Sequence, residues 1–197
     1  MLEGFYVIDT ETTGLSFVDN DVIEVSILRL SDNEQKTWCI KPINNKNITS
    51  DSLRINGHKL EDLLHQTKFG KDTYLEPSKV IIEIENWLAE DNLPAENRMM
   101  VGQNISFDKY MLENLWKKCE AHDSFPFGRR MLDTMQFEIF MDLAAETKSE
   151  SYSLNSIIKK YGIKNEKAHT AAADVKATKE VFVKQLEIIK KLITKSQ

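Results

Sequence analysis

Two acidic residues separated by one threonine, Asp9 and Glu11, stand near the start of the chain. They follow an apolar run over residues 5–8 that is too short for a helix and rich in strand-forming residues, which predicts a strand buried on both faces. Residues two apart in a strand project from the same face, so both carboxylates are expected on one side of the strand's end. Gly14 then allows the chain to turn.

Paired carboxylates at the edge of a core repel each other, and each is costly to remove from water. A hard divalent cation such as Mg²⁺ or Mn²⁺ takes oxygen ligands and would relieve both problems. The alternative is that the two acids simply face solvent at the end of the strand. The pair by itself does not decide between these interpretations.

Three residues further along the chain could complete a cation site. Asp108 follows an apolar run and stands in the predicted first turn of a helix, where the helix dipole favours a carboxylate. His169 and Asp174 are five residues apart, which is about 500° of rotation on a continuous helix. We therefore expect His169 before a helix that Thr170 caps, and Asp174 in its opening turns. Each of the three also has an ordinary interpretation, as a helix-start acid or a surface histidine.

The other histidines, His58, His65 and His122, have no acidic partner at a telling spacing and are interpreted as surface or loop residues. Cys39 and Cys119 lie far apart in apolar surroundings, which indicates buried free thiols in a reducing cytoplasm. No cluster of cysteine and histidine indicates a zinc site.

The elements that must position the acids follow from hydrophobic periodicity. Runs at 22–30 and 35–41 predict two strands that form an antiparallel meander with the first, and runs at 99–101 and 131–132 predict two more. Residues 67–76 read as a polar loop. Helices are predicted as short turns within 50–66 and as longer segments starting near Pro77, Ser106 (as a cap), Thr134, Ser153 and Ala171. This order predicts an α/β fold with a mixed five-stranded sheet, three antiparallel strands followed by parallel additions, flanked by helices.

Composition limits the class of protein. The chain has 197 residues, 41% apolar and 29% charged, which is typical of a soluble globular protein, and we expect one domain over residues 1–197. No apolar run approaches the ~20 residues of a membrane helix, and the first residues lack a basic leader, so a cytoplasmic protein is expected. The net charge of −5 argues against a general basic surface that clamps long duplexes. A nucleic-acid substrate is still compatible with it, because an acidic metal site adds negative charge.

Three motifs occur in order along the chain: Asp-Thr-Glu-Thr-Thr-Gly-Leu at 9–15, Asn-x-x-Phe-Asp at 104–108, and a histidine followed by an aspartate at 169–174. With these motifs the chain resembles the DEDD superfamily of 3′–5′ exonucleases, and the histidine of the third motif places it in the DEDDh branch. That branch includes the proofreading subunits of bacterial replicative polymerases and oligoribonuclease. The resemblance spans nearly the whole chain and implies a ribonuclease H-like fold.

The resemblance implies phosphodiester hydrolysis with two divalent cations, Mg²⁺ or Mn²⁺. Asp9 would bridge both ions, Glu11 and Asp174 would complete the ion on the side of the attacking water, and Asp108 would hold the second ion through water. Two such ions stabilise the attacking and leaving oxygens. His169 would take the proton from the attacking water.

The resemblance also implies residues that contact the 3′ nucleotide. They lie after the first strand and in the cleft beside it: Thr12, Thr13, Gly14, Leu15, Asn104 and Phe107. Many relatives have a histidine where Gln103 stands and another where Asn56 stands before Gly57. Both positions contact substrate in relatives, so the preference for base and sugar is left open here.

The sequence therefore predicts a metal-dependent 3′–5′ exonuclease that releases nucleoside monophosphates from single-stranded ends, with DNA favoured. Single strands fit because the terminal base must separate from its neighbours to reach the ions. The alternatives are an oligoribonuclease-like or RNA-trimming enzyme, and a non-catalytic module that holds nucleic acid or a polymerase. A polymerase or another replication or repair protein is a candidate partner. Since 23 residues follow Asp174, we expect a stand-alone enzyme, or one that docks through its folded surface, rather than a subunit tethered by a long tail. No oligomeric state is predicted.

Overall fold

A mixed sheet of five strands forms the centre of the computed structural model. The residues that the structure describes are 2–65, 67–68, 72–121, 125–165 and 170–195. The strands of the described residues are β1 (Phe5–Thr12), β2 (Val22–Arg29), β3 (Gln35–Cys39), β4 (Thr67–Lys68), β5 (Asp72–Thr73), β6 (Met99–Gly102) and β7 (Met131–Asp133).

The sheet has the order β3-β2-β1-β6-β7. Strands β1, β2 and β3 pair antiparallel, and β6 and β7 add parallel to β1. The predicted mixed sheet, with three antiparallel strands followed by parallel additions, is therefore confirmed. β1 lies at the centre of this order, which places its carboxyl end between the two halves of the sheet.

Helices cover both faces of the sheet. They are α1 (Ser50–Asn56), α2 (Leu60–His65), α3 (Pro77–Ala89), α4 (Ile105–Lys118), α5 (Thr134–Ala144), α6 (Leu154–Tyr161) and α7 (Ala171–Lys195). Their starts follow local sequence chemistry: Pro77 is the first residue of α3, and Ser153 accepts a hydrogen bond at the start of α6. Gly162 ends α6 in the left-handed conformation, as its type predicts.

The alternation of side chains along β1 divides the core into two layers. Tyr6 and Ile8 face α3 and α4, where they join a cluster that includes Ile84 and Leu112. Val7 faces the opposite way and packs with Val175 and Phe182 of α7, on the other face of the sheet. Since Asp9 and Glu11 continue the series of Val7, they point toward the layer that contains α7.

The structure differs from the predicted elements in three places. The predicted polar loop at 67–76 contains the short antiparallel pair β4–β5, and Gly70 within it lies outside the described residues. The third strand, predicted to reach Lys41, ends at Cys39; Ile40 still donates from its backbone N–H to the carbonyl oxygen of Ile23 in β2 (2.8 Å) and forms an isolated bridge with Leu75. Helix α4 starts after Asn104, not Ser106. Asn104 adopts a left-handed conformation (φ 56°), so a backbone turn replaces the expected side-chain cap.

Two further properties bear on the predictions. Cys39 and Cys119 are thiols rather than disulfide-bonded, as predicted, but each is half-buried rather than buried. None of the helices in the described part of the chain combines the length and the apolar character that a membrane span requires.

Helix α3 allows a direct test of the core. Ile84 is 0% exposed and Ile82, two residues away on the same helix, is 56% exposed. We expect Ile84→Ala to lower the free energy of unfolding by about 2–5 kcal/mol, because it removes buried methyl groups and leaves a cavity. The matched variant Ile82→Ala should change it by less than about 1 kcal/mol. Urea unfolding measures both, and equal losses would contradict the packing of α3 described here.

Candidate active site

Three carboxylates from opposite ends of the sequence meet at the carboxyl end of β1. Asp9 and Glu11 belong to β1, and Asp174 lies in the first turn of α7. One ligand oxygen from each lies within 4.8 Å of the others, and all three side chains are half-buried. Asp9 and Glu11 thus lie on the same side of β1, as the two-residue repeat of a strand predicts, and α7 supplies the third acid.

Contacts near the start of α7 hold Asp174 in this place. The Thr170 hydroxyl accepts a hydrogen bond from the backbone N–H of Ala173 (3.3 Å), which makes it the predicted cap. Gln35 of β3 donates from Nε2 to the carbonyl oxygen of Ala172 (2.9 Å). Asn165 donates from Nδ2 to Oδ1 of Asp174 (2.8 Å). Asn165 was not predicted, because a lone asparagine in a polar connection carries no distinguishing sequence signal.

Asp108 reaches the same strand end from the other face of the sheet. Its side chain is buried, and its Oδ1 accepts hydrogen bonds from the backbone N–H (2.9 Å) and the hydroxyl (2.8 Å) of Thr10. Thr10 lies between Asp9 and Glu11 in β1 and faces the opposite side of the sheet. Through Thr10, the carboxylate of Asp108 from the α4 layer reaches the same strand end as the acids on the α7 side. Asp108 is not part of the group of three oxygens within 4.8 Å, which places it at the margin of that group.

The electrostatics of the cluster follow from burial and like charge. Burial raises the pKa of Asp9 well above its usual range, and the nearby charges of Asp108, Glu11 and Asp174 raise it further. Burial also raises the pKa of Asp108 to about 7, against the opposing effect of the two hydrogen bonds from Thr10. The strand end therefore attracts positive charge, whether protons or a cation.

His169 lies outside the described residues, so its place beside the acids stays a prediction.

The segment predicted to contact the nucleotide, residues 12–15 at the end of β1, is held mainly by hydrogen bonds to other parts of the chain. The Thr12 hydroxyl donates to the carbonyl oxygen of Gly14 (2.8 Å), and the Thr13 carbonyl oxygen accepts from the backbone N–H of Thr49 (2.8 Å). A Cβ on Gly14 would lie 2.4 Å from Oδ1 of Asn20, so only glycine fits there. Leu15 is the exception, because its side chain is 79% exposed.

The side chains of Asn56 and Gln103, the two positions at which the resemblance implies histidine in many relatives, form hydrogen bonds within the protein. Asn56 is buried, donates from Nδ2 to the Thr12 carbonyl oxygen (3.2 Å) and ties the end of α1 to the end of β1. Gln103 donates from Nε2 to the carbonyl oxygen of Tyr152 (2.7 Å) and accepts from the hydroxyl of Thr134 (2.7 Å). Both amides thus brace neighbouring segments.

The second motif places its other residues at the turn between β6 and α4. The backbone N–H of Asn104 donates to Oδ1 of Asp133 (3.0 Å), which links this turn to the end of β7. Phe107 is half-buried, and its ring contacts Phe17 with centroids 5.6 Å apart. Asn104 therefore stands just before α4, and Phe107 directly precedes Asp108 in the first turn of that helix.

His58 lies in the loop between α1 and α2, as one of its two predicted interpretations has it, but it is not a surface residue. The side chain is buried, with Nε2 at 3.3 Å from Oε2 of Glu24 and Nδ1 at 2.5 Å from the hydroxyl of Tyr74. Glu24 is the cross-strand partner of Glu11. The pairing was missed because the acid lies in another strand, where sequence spacing gives no signal. His122 lies outside the described residues, and the side chain of His65 is not described.

Replacing Asp108 by asparagine tests the electrostatic description. The folded pKa of about 7 lies above the unfolded value of ~3.9, so the metal-free protein loses stability as pH rises through that window. Asparagine stays neutral and can still accept from Thr10. We expect Asp108→Asn to be more stable than wild type by roughly 1–4 kcal/mol near pH ~8, with the difference shrinking toward pH ~4. Urea unfolding in chelator across pH measures this, and a pH-independent difference would contradict it.

Two sequence relatives of this chain are bacterial DNA polymerases. The chain is 30% identical to the PolC-type DNA polymerase III of Thermotoga petrophila over 97% of its own length and 12% of that protein's. It is 24% identical to the PolC-type DNA polymerase III of Staphylococcus aureus, over 95% of the chain and 12% of the relative. The chain thus spans about an eighth of the length of these curated relatives.

Solved nucleases share the fold. The nuclease domain of 3′hExo, a DEDDh family member bound to rAMP, superimposes with a TM-score of 0.69 over 93% of this chain and 91% of that one, at 14% identity. E. coli Exonuclease I in complex with a dT13 oligonucleotide gives a TM-score of 0.71 over 92% and 40%, at 18% identity. These likenesses confirm the ribonuclease H-like exonuclease fold.

The sequence pattern of one family, RNase T, described as exonuclease, matches residues 6–182. That range contains all the carboxylates of the strand-end cluster, and the predicted resemblance is confirmed. The chain therefore belongs to the RNase T family of exonucleases.

Proposed function

We propose that this chain removes nucleoside monophosphates one at a time from the 3′ end of single-stranded nucleic acid, with DNA favoured over RNA. The observation that carries the proposal is the meeting of Asp9, Glu11 and Asp174 within 4.8 Å at a strand end that Asp108 reaches through Thr10. In a member of an exonuclease family, such a set of acids supports phosphodiester hydrolysis.

The chemistry of the donors fits divalent cations. Carboxylate oxygens are the ligands that Mg²⁺ and Mn²⁺ prefer, and mutual repulsion among the acids favours a bound ion. Asp9, Glu11 and Asp174 would hold one ion, and Asp9 together with Asp108 would hold a second. Two such ions would supply the positive charge that stabilises the attacking and leaving oxygens.

The remaining residues bind and orient the strand. Leu15, with an exposed side chain, and Phe107 are proposed to pack on the terminal base, and Asn104 to line the cleft beside them. The backbone of Thr13 and Gly14 is proposed to contact the terminal sugar. Three further residues are proposed to support the walls of this pocket, because their side chains form hydrogen bonds with other parts of the chain: Thr12, Asn56 and Gln103.

The substrate class is proposed from the relatives. Exonuclease I was crystallised with a DNA oligonucleotide, and the PolC-type relatives are DNA polymerases, so DNA and a polymerase partner are proposed for this chain. The rAMP bound to 3′hExo favours an RNA-degrading alternative. Rates on labelled single-stranded DNA, single-stranded RNA, dinucleotides and duplexes with a mismatched 3′ end separate these possibilities. Faster cleavage of RNA or of dinucleotides would replace the DNA proposal.

The cation site is tested by stability and activity together. At Mg²⁺ concentrations about a hundredfold above Kd, the native state gains about 2.7 kcal/mol, which raises the melting temperature of a chain this size by roughly 5 °C or more. We expect Asp9→Asn to lose this shift and to lower kcat at least about a thousandfold. Asp51→Asn, an exposed acid on α1, is the matched control and should behave as wild type. Equal Mg²⁺ shifts in wild type and Asp9→Asn would contradict the cation site, and equal, negligible mononucleotide release by both proteins would favour a non-catalytic binding module.

The role of His169 as general base has its own test. We expect His169→Ala to lower kcat by about 10²–10⁴-fold, because a positioned base no longer accepts the proton of the attacking water. The Mg²⁺-dependent rise in melting temperature should persist, since the carboxylates are unchanged. Wild-type kcat in the variant would show that another group serves as base.

A further inference from the structure

Two aromatic side chains are exposed beside Phe107 of the second motif. Phe17 is 40% exposed and Tyr110 49%. Exposed apolar side chains that gather in one place commonly mark a binding surface. This group lies outside the three motifs, and the terminal-nucleotide contacts proposed above do not use it.

The two aromatic rings form one surface. The centroid of Phe17 lies 5.6 Å from that of Phe107 and 5.4 Å from that of Tyr110, with the rings tilted by 52° and 56°. Phe107 and Tyr110 are three residues apart on α4, so they share a face of the helix. Phe107 is packed against the main core cluster and anchors the exposed rings.

The loop that carries Phe17 is braced by hydrogen bonds. Its neighbour Ser16 donates from the backbone N–H to Oδ1 of Asn20 (2.9 Å), and Asn20 donates from its own backbone N–H to the Ser16 carbonyl oxygen (3.0 Å). The buried Asn20 side chain also donates to the carbonyl oxygen of Asn47 (2.5 Å). Phe17 is therefore held in position before any ligand arrives, which lowers the entropy lost on binding.

The surface is continuous with the proposed terminal-base contacts. Phe17 follows Leu15 by two residues, and Tyr110 extends the face of α4 that begins with Phe107. A strand whose last base lies on Leu15 and Phe107 would pass its preceding bases over Phe17 and Tyr110. Every nucleobase has a π-face that can stack on such rings, whatever its sequence.

We propose that Phe17 and Tyr110 form a stacking platform for the bases that precede the terminal nucleotide of an unpaired strand. The proposal rests on the proposed function, because it assigns the path by which the substrate of that site approaches. It predicts that strands of several nucleotides bind more tightly than dinucleotides.

The test compares ring removal with loss of apolar bulk from the same loop. Phe17→Ala and Tyr110→Ala should raise KM for single strands of about twelve nucleotides roughly tenfold, with kcat little changed and a smaller effect on dinucleotides. Tyr110→Phe keeps the ring and should restore the wild-type KM. Val18→Ala and Phe140→Ala, which remove an aliphatic neighbour and a distant exposed ring, should leave KM unchanged.

Fluorescence anisotropy of a labelled strand of about twelve nucleotides, measured with the same variants, tests the platform apart from hydrolysis. Tenfold weaker binding in Phe17→Ala and Tyr110→Ala supports the platform even if no strand is degraded, an outcome that would contradict only the proposed function. Unchanged KM and binding in both ring variants overturns the platform while leaving the proposed function in place. Equal losses in Val18→Ala and Phe17→Ala also overturn it, since they indicate an apolar protein-docking patch.

Discussion

Carboxylates that are held close together and partly removed from water repel one another, so the fold must supply the energy that keeps Asp9, Glu11 and Asp174 in place. Burial raises the pKa of Asp9 well above its usual range, and the repulsion among the carboxylates raises it further. The opposing energy comes from apolar packing. Val175 and Phe182 of α7 pack against Val7 of β1, and this contact fixes the start of α7 over the strand's end.

The central position of β1 in the sheet explains how acids from both helical layers meet at one strand end. Alternate residues of β1 point to opposite faces, so Asp9 and Glu11 face α7 while Thr10 faces α4 and binds Asp108. One strand end thereby receives an acid from each helical layer. The same geometry explains why the acids come from three distant parts of the sequence: each layer is built by a different segment of the chain.

The predicted substrate-contacting residues around the cluster fall into two kinds. The amides of Asn56 and Gln103 are hydrogen-bonded within the protein, the first to the end of β1 and the second to the carbonyl oxygen of Tyr152. Phe17 and Tyr110 instead expose their rings on a braced surface. The amides thus hold their own segments in place, whereas the rings remain accessible to a ligand.

The sequence alone determined the elements and the acids. Strand alternation placed Asp9 and Glu11 on one side, and the periodicity of α3 predicted its buried face, because both patterns depend only on local backbone geometry. The order of three motifs indicated the family. Such signals survive without tertiary structure, since each is contained in a short stretch of chain.

Only the tertiary structure decided which side chains meet. It placed His58 beside Glu24, Asn165 on Asp174, and one oxygen of Asp108 on Thr10. It also replaced the expected serine cap of α4 with a left-handed Asn104. These contacts join residues from separate elements, or depend on how sharply the chain must turn between them. Hydrophobic periodicity records which face of an element is buried, but it carries no information about the partner that the face will meet.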